Sequence, residues 1–300
     1  MSWPQAQATG LSDNFSTAEG FVGDNAPLSG QKGWTTNDPY NSVADAGETS
    51  FVAFVDGYTP GSSGAGDHSV MFGGVAAFSG YYPGRPDPNL SKSFTTPIDI
   101  ADPSHNTALF STDFAVISSS NPSYPAKDTF GFDLRNSVGV SLAKFQFNPA
   151  AAVLSDLAFQ WYLNGVLQTT ANPSLNGDNE IGYASKYRFI VALQGSNFNA
   201  WISTLDAANN VVATAAVVFN GSLSGSLVAT DFTDVAVTWN LSNPTETAPG
   251  VYADAGSNYL VLNSVSVTAV PEPSTGLLVG AGLALVTAVR FYRRRSAVEI

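Results

Sequence analysis

The side chains able to do chemistry are few and scattered. The chain has no cysteine and two histidines, so disulfides, thiolate metal sites and a cysteine nucleophile are excluded. His68 stands between Asp67 and Ser69. Neighbours on a strand point to opposite faces, and a Ser-His-Asp relay depends on geometry rather than adjacency. His68 and the isolated His105 are therefore expected in loops. Glycoside hydrolysis needs two carboxylates facing each other across a cleft, about 5 Å apart in a retaining enzyme. Acids spaced by two on one strand would share a face. Glutamates occur at positions 19, 48, 180, 246, 272 and 299, and no Glu-x-Asp-x-Glu run is present. Only a pair assembled from separate strands would serve, and no catalysis is expected.

Metal and sugar have better candidates. Asn176-Gly177-Asp178-Asn179-Glu180 gathers hard oxygen donors in a glycine-containing turn, which suits Ca²⁺ with Asp178, Asn179 and Glu180 as ligands. Asp254 and Asn258 form a second such cluster. Neither follows the EF-hand spacing, and Asx-rich turns also arise because Asn and Asp bond their own backbone. No other cofactor is expected. For carbohydrate, the best exposed aromatic pair is Tyr81-Tyr82, followed by Pro83-Gly84-Arg85, with Trp34, Tyr40 and Tyr58 as further candidates. Trp161, Trp201 and Trp239 lie inside strand patterns and are expected in the core.

These residues must be held by a mostly β scaffold. Apolar, β-branched or aromatic runs recur at 50–55, 70–78, 109–117, 129–134, 139–147, 157–163, 166–170, 187–193, 200–205, 211–219, 232–240 and 259–267. Several alternate strictly, as in Phe130, Phe132, Leu134 and Val235, Val237, Trp239. Residues 57–66 and 81–90 have loop composition. Asn164-Gly165 between two runs predicts a hairpin with a type I′ turn, and Asp206–Asn210 predicts another. No internal repeat argues for a propeller or β-helix. About a dozen strands without a linker predict an all-β fold, a two-sheet β-sandwich or jelly roll.

Charged residues are 12% of the 300, about half the usual share. Two of the 24 acidic residues, Glu272 and Glu299, lie beyond residue 270, as do four of the 12 basic ones. That leaves 22 acidic against 8 basic residues and a net charge of −14 on the domain. Such a surface repels nucleic acid and anionic lipid, so neither is expected to bind the domain by charge.

The tail is built differently. Val270-Pro271-Glu272-Pro273-Ser274-Thr275 precedes an uncharged run, Gly276 to Val289, which Phe291 and Tyr292 prolong beyond Arg290. A helix over 276–292 rises about 26 Å, close to the apolar thickness of a bilayer. Arg290, Arg293, Arg294 and Arg295 form a basic membrane stop and place the C-terminus in the cytoplasm. Two prolines hold Glu272 on a stiff, extended segment.

This order of short motif, apolar helix and arginine cluster resembles the PEP-CTERM sorting signal of exported proteins in Gram-negative-type bacteria that make extracellular polysaccharide. The resemblance implies recognition of Pro271, Glu272 and Pro273 by an exosortase, a membrane cysteine transpeptidase, with cleavage at or near the motif. It also implies an export signal. Met1–Gly10 has no basic and apolar leader, but Gln5-Ala6-Gln7-Ala8 has the spacing of a leader's end, so the leader is expected upstream. Asp13-Asn14-Phe15, Glu19-Gly20-Phe21 and Pro27 to Trp34 resemble the opening of concanavalin A-like (laminin G-like) jelly rolls. Asn258 to Thr268 resembles their last strand, which pairs with the first. A galactose-binding-type sandwich is the nearest rival.

The expected organisation is an N-terminal segment (1–10), a sandwich domain (11–269), the motif (270–275), a transmembrane helix (276–292) and a basic tail (293–300). The expected role is an exported, C-terminally anchored surface or matrix protein without catalysis, held in the cytoplasmic membrane and then moved to the envelope or beyond. A module binding extracellular polysaccharide and a divergent glycoside hydrolase are the alternatives.

Overall fold

A computed structural model describes residues 10–15, 19–21, 26–37, 54–56, 69–73, 89–101, 106–118, 128–149, 156–171, 181–182, 186–206, 208–214, 217–223, 231–240, 245–248, 251–253 and 258–271. The described elements are strands. They are β1 (Ser12–Asp13), β2 (Ala26–Pro27), β3 (Thr35–Thr36), β4 (Phe54–Asp56), β5 (Ser69–Gly73), β6 (Asn89–Asp99), β7 (Asn106–Ser118), β8 (Thr129–Arg135), β9 (Ser141–Pro149) and β10 (Asp156–Leu163). There follow β11 (Val166–Ala171), β12 (Ile181–Gly182), β13 (Lys186–Gln194), β14 (Asn197–Leu205), β15 (Val211–Thr214), β16 (Phe219–Ser222), β17 (Asp231–Asn240), β18 (Thr245–Ala248), β19 (Val251–Ala253) and β20 (Asn258–Pro271).

Two antiparallel sheets face each other in a β-sandwich of jelly-roll type. Sheet A runs β15-β14-β13-β7-β20-β5-β4-β2, with β1 added on β20 and β16 on β14. Sheet B runs β11-β10-β9-β8-β17-β6-β3, with β12 on β10. The chain crosses between sheets at β6 to β7, β7 to β8 and again around β17, so strands distant in sequence become neighbours. β20 lies between β7 and β5, and β17 between β8 and β6.

Strict alternation selects the core. Phe130, Phe132 and Leu134 on β8, Phe145 and Phe147 on β9, and Phe189 and Val191 on β13 are fully buried. Their rings interlock across the gap. Within sheet B Phe147 stacks on Phe159 at 4.9 Å, and across the gap Phe159 meets Phe189 edge-on at 5.0 Å. Phe110 and Phe114 of β7 both reach Phe132 of the opposite sheet. Edge-on and offset contacts add to the burial of each ring.

The predicted Asn164-Gly165 turn joins β10 to β11 with φ of 50° and 76°, the left-handed pair that a type I′ turn requires. Asp206–Asn210 joins β14 to β15, with the Asp206 carboxylate accepting the Ala208 and Asn210 amides. β1 pairs with β20, as expected for first and last strands. Three expectations fail. β6 lies partly in the 81–90 region expected to be loop. The run 211–219 is not one strand, because β15 ends at Thr214 and β16 begins at Phe219. Trp201 is outside the core. It alternates with the buried Ala200 and Ile202 and so stands half-buried on the outer face of sheet A.

Candidate functional site

The outer face of sheet B carries the richest chemistry. Register places side chains of equal height in lateral rows across the strands. One row runs Asn89, Thr238, Gly131, Gln146, Gln160, Thr170 over β6, β17, β8, β9, β10 and β11. The next runs Ser91, Ala236, Asp133, Lys144, Tyr162, Leu167, and a third joins Ser93, Asp234, Arg135 and Ser141. Residues two apart on each strand share this face, so one register aligns all three rows.

The rows are internally bonded. Arg135 Nε donates to Asp234 Oδ1 at 2.6 Å, and Ser93 donates to Asp234 Oδ2 at 3.0 Å. Tyr162 donates its hydroxyl to Gln160, and Ser141 donates to Asp133. Burial pushes the Asp133 carboxyl above its usual range, outweighing the Ser141 hydrogen bond and the nearby Arg135 and Lys144 charges. Gln146 is buried on this face, and Thr238 Oγ1 is buried without a hydrogen-bond partner. Between them Gly131 has no side chain, because a Cβ there would lie 2.1 Å from the Phe145 carbonyl oxygen. The strands therefore approach closely at Gly131, with the Gln146 amide and the Thr238 hydroxyl on either side. The face can hold a ligand by hydrogen bonds. Of its two central carboxylates, Asp234 is ion-paired with Arg135 and Asp133 accepts from Ser141. On sheet A the comparable polar pair is structural: Arg188 grips Asp113 through two bonds of 2.7 and 2.8 Å, which holds its guanidinium protonated.

The second feature is the end of β20. This strand pairs with β7, past one register shift between Leu262 and Ser264, to its last residue, Pro271 opposite Asn106. Its other edge is covered by β5 at Tyr259–Leu262 and by β1 at Val265–Ser266. β1 is locked by Asp13, whose carboxylate accepts the buried Trp34 indole N–H at 2.9 Å and the Lys92 ammonium at 2.7 Å. Trp34, offered above as an exposed aromatic, is therefore a buried structural one. Only the fold shows this, because Asp13 and Lys92 are distant in sequence from it.

Of the motif at 270–275, Val270 and Pro271 are among the described residues, and Pro271 is the one proline of the motif so placed. Glu272 and Pro273, the run from Gly276 to Val289, and Arg290, Arg293, Arg294 and Arg295 lie outside them. So do Asp178, Asn179 and Glu180, the pair Tyr81 and Tyr82, Tyr40, Tyr58, His68 and His105. Among the described residues no helix is long and apolar enough to cross a membrane, and no three acidic or histidine side chains converge on a metal position.

The tail has a direct counterpart among known families. Residues 269–295 match the PEP-CTERM protein-sorting motif. This chain carries a PEP-CTERM sorting motif. The match overlaps the last three residues of β20, so signal and domain are contiguous. No curated protein matches the sequence. Among solved structures, the Lotus tetragonolobus seed lectin is 10% identical at a TM-score of 0.47, covering 88% of this chain and 99% of its own. Basic winged bean lectin, solved with Tn-antigen, is 8% identical at 0.49, covering 89% and 100%. Alginate lyase A1-II′ of polysaccharide lyase family 7 is 11% identical at 0.42, covering 75% and 86%. Likenesses this distant carry no ligand or reaction to the present chain.

Proposed function

We propose that this chain is an exported protein carried to the cell envelope by its PEP-CTERM motif. A helix over 276–292 holds it in the cytoplasmic membrane with the basic tail inside and the sandwich outside. An exosortase-like transpeptidase then recognises Pro271, Glu272 and Pro273 and processes the chain there. The sandwich is the non-catalytic cargo, and no cofactor enters this reading. The observation that carries it is the motif match at 269–295, which begins on the last three residues of the sandwich's last strand. Cleavage beyond Pro271 removes no described strand, so the released or attached product keeps its whole fold. Replacing Pro271, Glu272 and Pro273 by alanine is expected to leave the precursor uncleaved in its native host, seen as an intact mass ending at Ile300. Normal processing of that variant would refute the assignment.

A second reading is favoured by the polar rows on sheet B. A hydroxyl- and amide-rich face whose charges pair with one another suits a polysaccharide, whose hydroxyls both donate and accept. The double variant Gln146→Ala, Gln160→Ala is expected to lose retardation in affinity gels containing the host's own polysaccharide. Unchanged mobility of wild type with and without the polysaccharide would exclude this reading and leave sorting untouched.

A further inference from the structure

Strand directions fix which end of the sandwich bears the motif. β7 starts at Asn106 beside Pro271. Its partner β13 ends at that level, with Leu193 opposite Ala108, and the turn to β14 follows. In sheet B, Phe132 lies between Phe110 and Phe114, while Phe130 reaches Phe72, which pairs with Leu260 at the far end. β8 therefore runs toward the motif end, and its turn into β9, residues 136–140, projects there. Trp161 packs on Phe198 near the start of β14, so the Asn164-Gly165 turn projects there too.

Those two turns carry exposed aliphatic side chains. Val138 is 68% and Val140 40% exposed on the first, and Val166 is 62% and Leu167 44% exposed beside the second. Val270, one residue before Pro271, is 43% exposed. Five peptide steps join Pro271 to Gly276, about 18 Å when fully extended. A helix of about 26 Å is also slightly short for a bilayer core of about 30 Å, which draws the flanking chain inward.

We propose that the sandwich stands end-on upon the membrane that holds its C-terminal helix, with the tips around Val138 and Val166 seated in the headgroup layer. The inference rests on the anchor reading above. The domain's net charge of −14 opposes close approach to anionic lipid, so the contact rests on neutral side chains and on the tether rather than on charge. Few side chains suffice, since the tether makes the contact intramolecular and its effective concentration high. Asp99 and Asp231, paired at the same end across β6 and β17, keep that side in water, so the domain leans toward the β8–β11 side. The partner is the lipid surface itself.

The absence of cysteine makes the test clean. Full-length chains with single substitutions Val138→Cys, Val166→Cys or Val212→Cys are labelled with an environment-sensitive dye and reconstituted in phosphatidylcholine vesicles. Val212 is 62% exposed on β15, next to the turn from β14 at the opposite end. Flotation with the vesicles reports the anchor independently of the tips. In floated protein, labels at 138 and 166 are expected to be about twofold less accessible to iodide than the label at 212, and to be quenched by nitroxide lipid. Equal iodide access at all three positions overturns the proposal while leaving the anchor standing. Lipid quenching at 212 as well overturns the end-on pose. Failure to float overturns the anchor and this contact together.

Discussion

Removing the Asp13 carboxylate is expected to be the most damaging single change in the N-terminal strand, which pairs with the middle of β20. Asp13 Oδ2 accepts from both Trp34 Nε1 and Lys92 Nζ, and the Lys92 and Asp13 side chains are only 15% and 10% exposed. The ammonium also sits 5.8 Å from the Trp34 ring centroid. Asp13→Ala leaves a buried indole N–H unpaired, costing about 1–3 kcal/mol. It also strands a largely buried cation, and breaking a buried pair this way costs about 3–5 kcal/mol in all. Lys92 retains some access to water and can turn outward, which favours the lower figure, about 3 kcal/mol. For a domain of this size that is a fall of about 6–12 °C in melting temperature. Asp13→Asn keeps an acceptor for the indole and should fall by less than half as much. The assay is thermal unfolding of the detergent-solubilised chain followed by tryptophan fluorescence, with Lys92→Met and the double variant completing a cycle. A loss under about 1 kcal/mol for Asp13→Ala, or no coupling in the cycle, would show that the N-terminal strand is held by packing alone.

Asp133 gives a pH prediction. Burial raises its carboxyl above the usual aspartate range, so the native state binds the proton more tightly than the unfolded chain, and stability is lost as pH rises through the folded value. Asp133→Asn should therefore melt higher than wild type at pH 7, with the gap closing as pH falls toward 4; a constant gap would place the effect in packing rather than ionisation. Gly131→Ala drives a methyl group to 2.1 Å from the Phe145 carbonyl oxygen, so β8 and β9 must part, at about 1–3 kcal/mol or more in denaturant unfolding. An unaltered midpoint would mean the strands give way freely.

The core strands were legible because their pattern is local. Phe130, Phe132 and Leu134 alternate in sequence and are all buried, and Asn164-Gly165 announces its turn by chemistry that few other dipeptides share. β6 was hidden because its buried residues, Leu90, Phe94 and Ile98, recur every four positions among Ser, Lys, Thr and Pro. The register shift opposite Phe232 and Asp234 on β17 breaks the two-residue period there. The break between Thr214 and Phe219 was hidden by an apolar run that never loses β character. The polar rows on sheet B could not be found from sequence. Gln146 and Gln160 are neighbours only through pairing, and Thr238 joins them from a strand nearly a hundred residues away. The sorting motif is the reverse case. Its meaning lies in order and position along the chain, so it was plain before any coordinates were known.

The placement of the motif also decides what the domain can show to its surroundings. A sandwich tethered by a long linker could lie on either sheet and bury one face against the membrane. Here β20 stays paired to Pro271, and at most about 18 Å of chain separates it from the apolar run. In the end-on pose proposed above, both sheets would stay in solvent, and the rows from Asn89 to Thr170 would face sideways, open to a polymer. If the domain instead lay on sheet B, the buried Gln146 amide and the unpartnered Thr238 hydroxyl would face lipid, which cannot satisfy either group. Orientation at the membrane and availability of the polar face are thus one question, and the label positions at 138, 166 and 212 answer both.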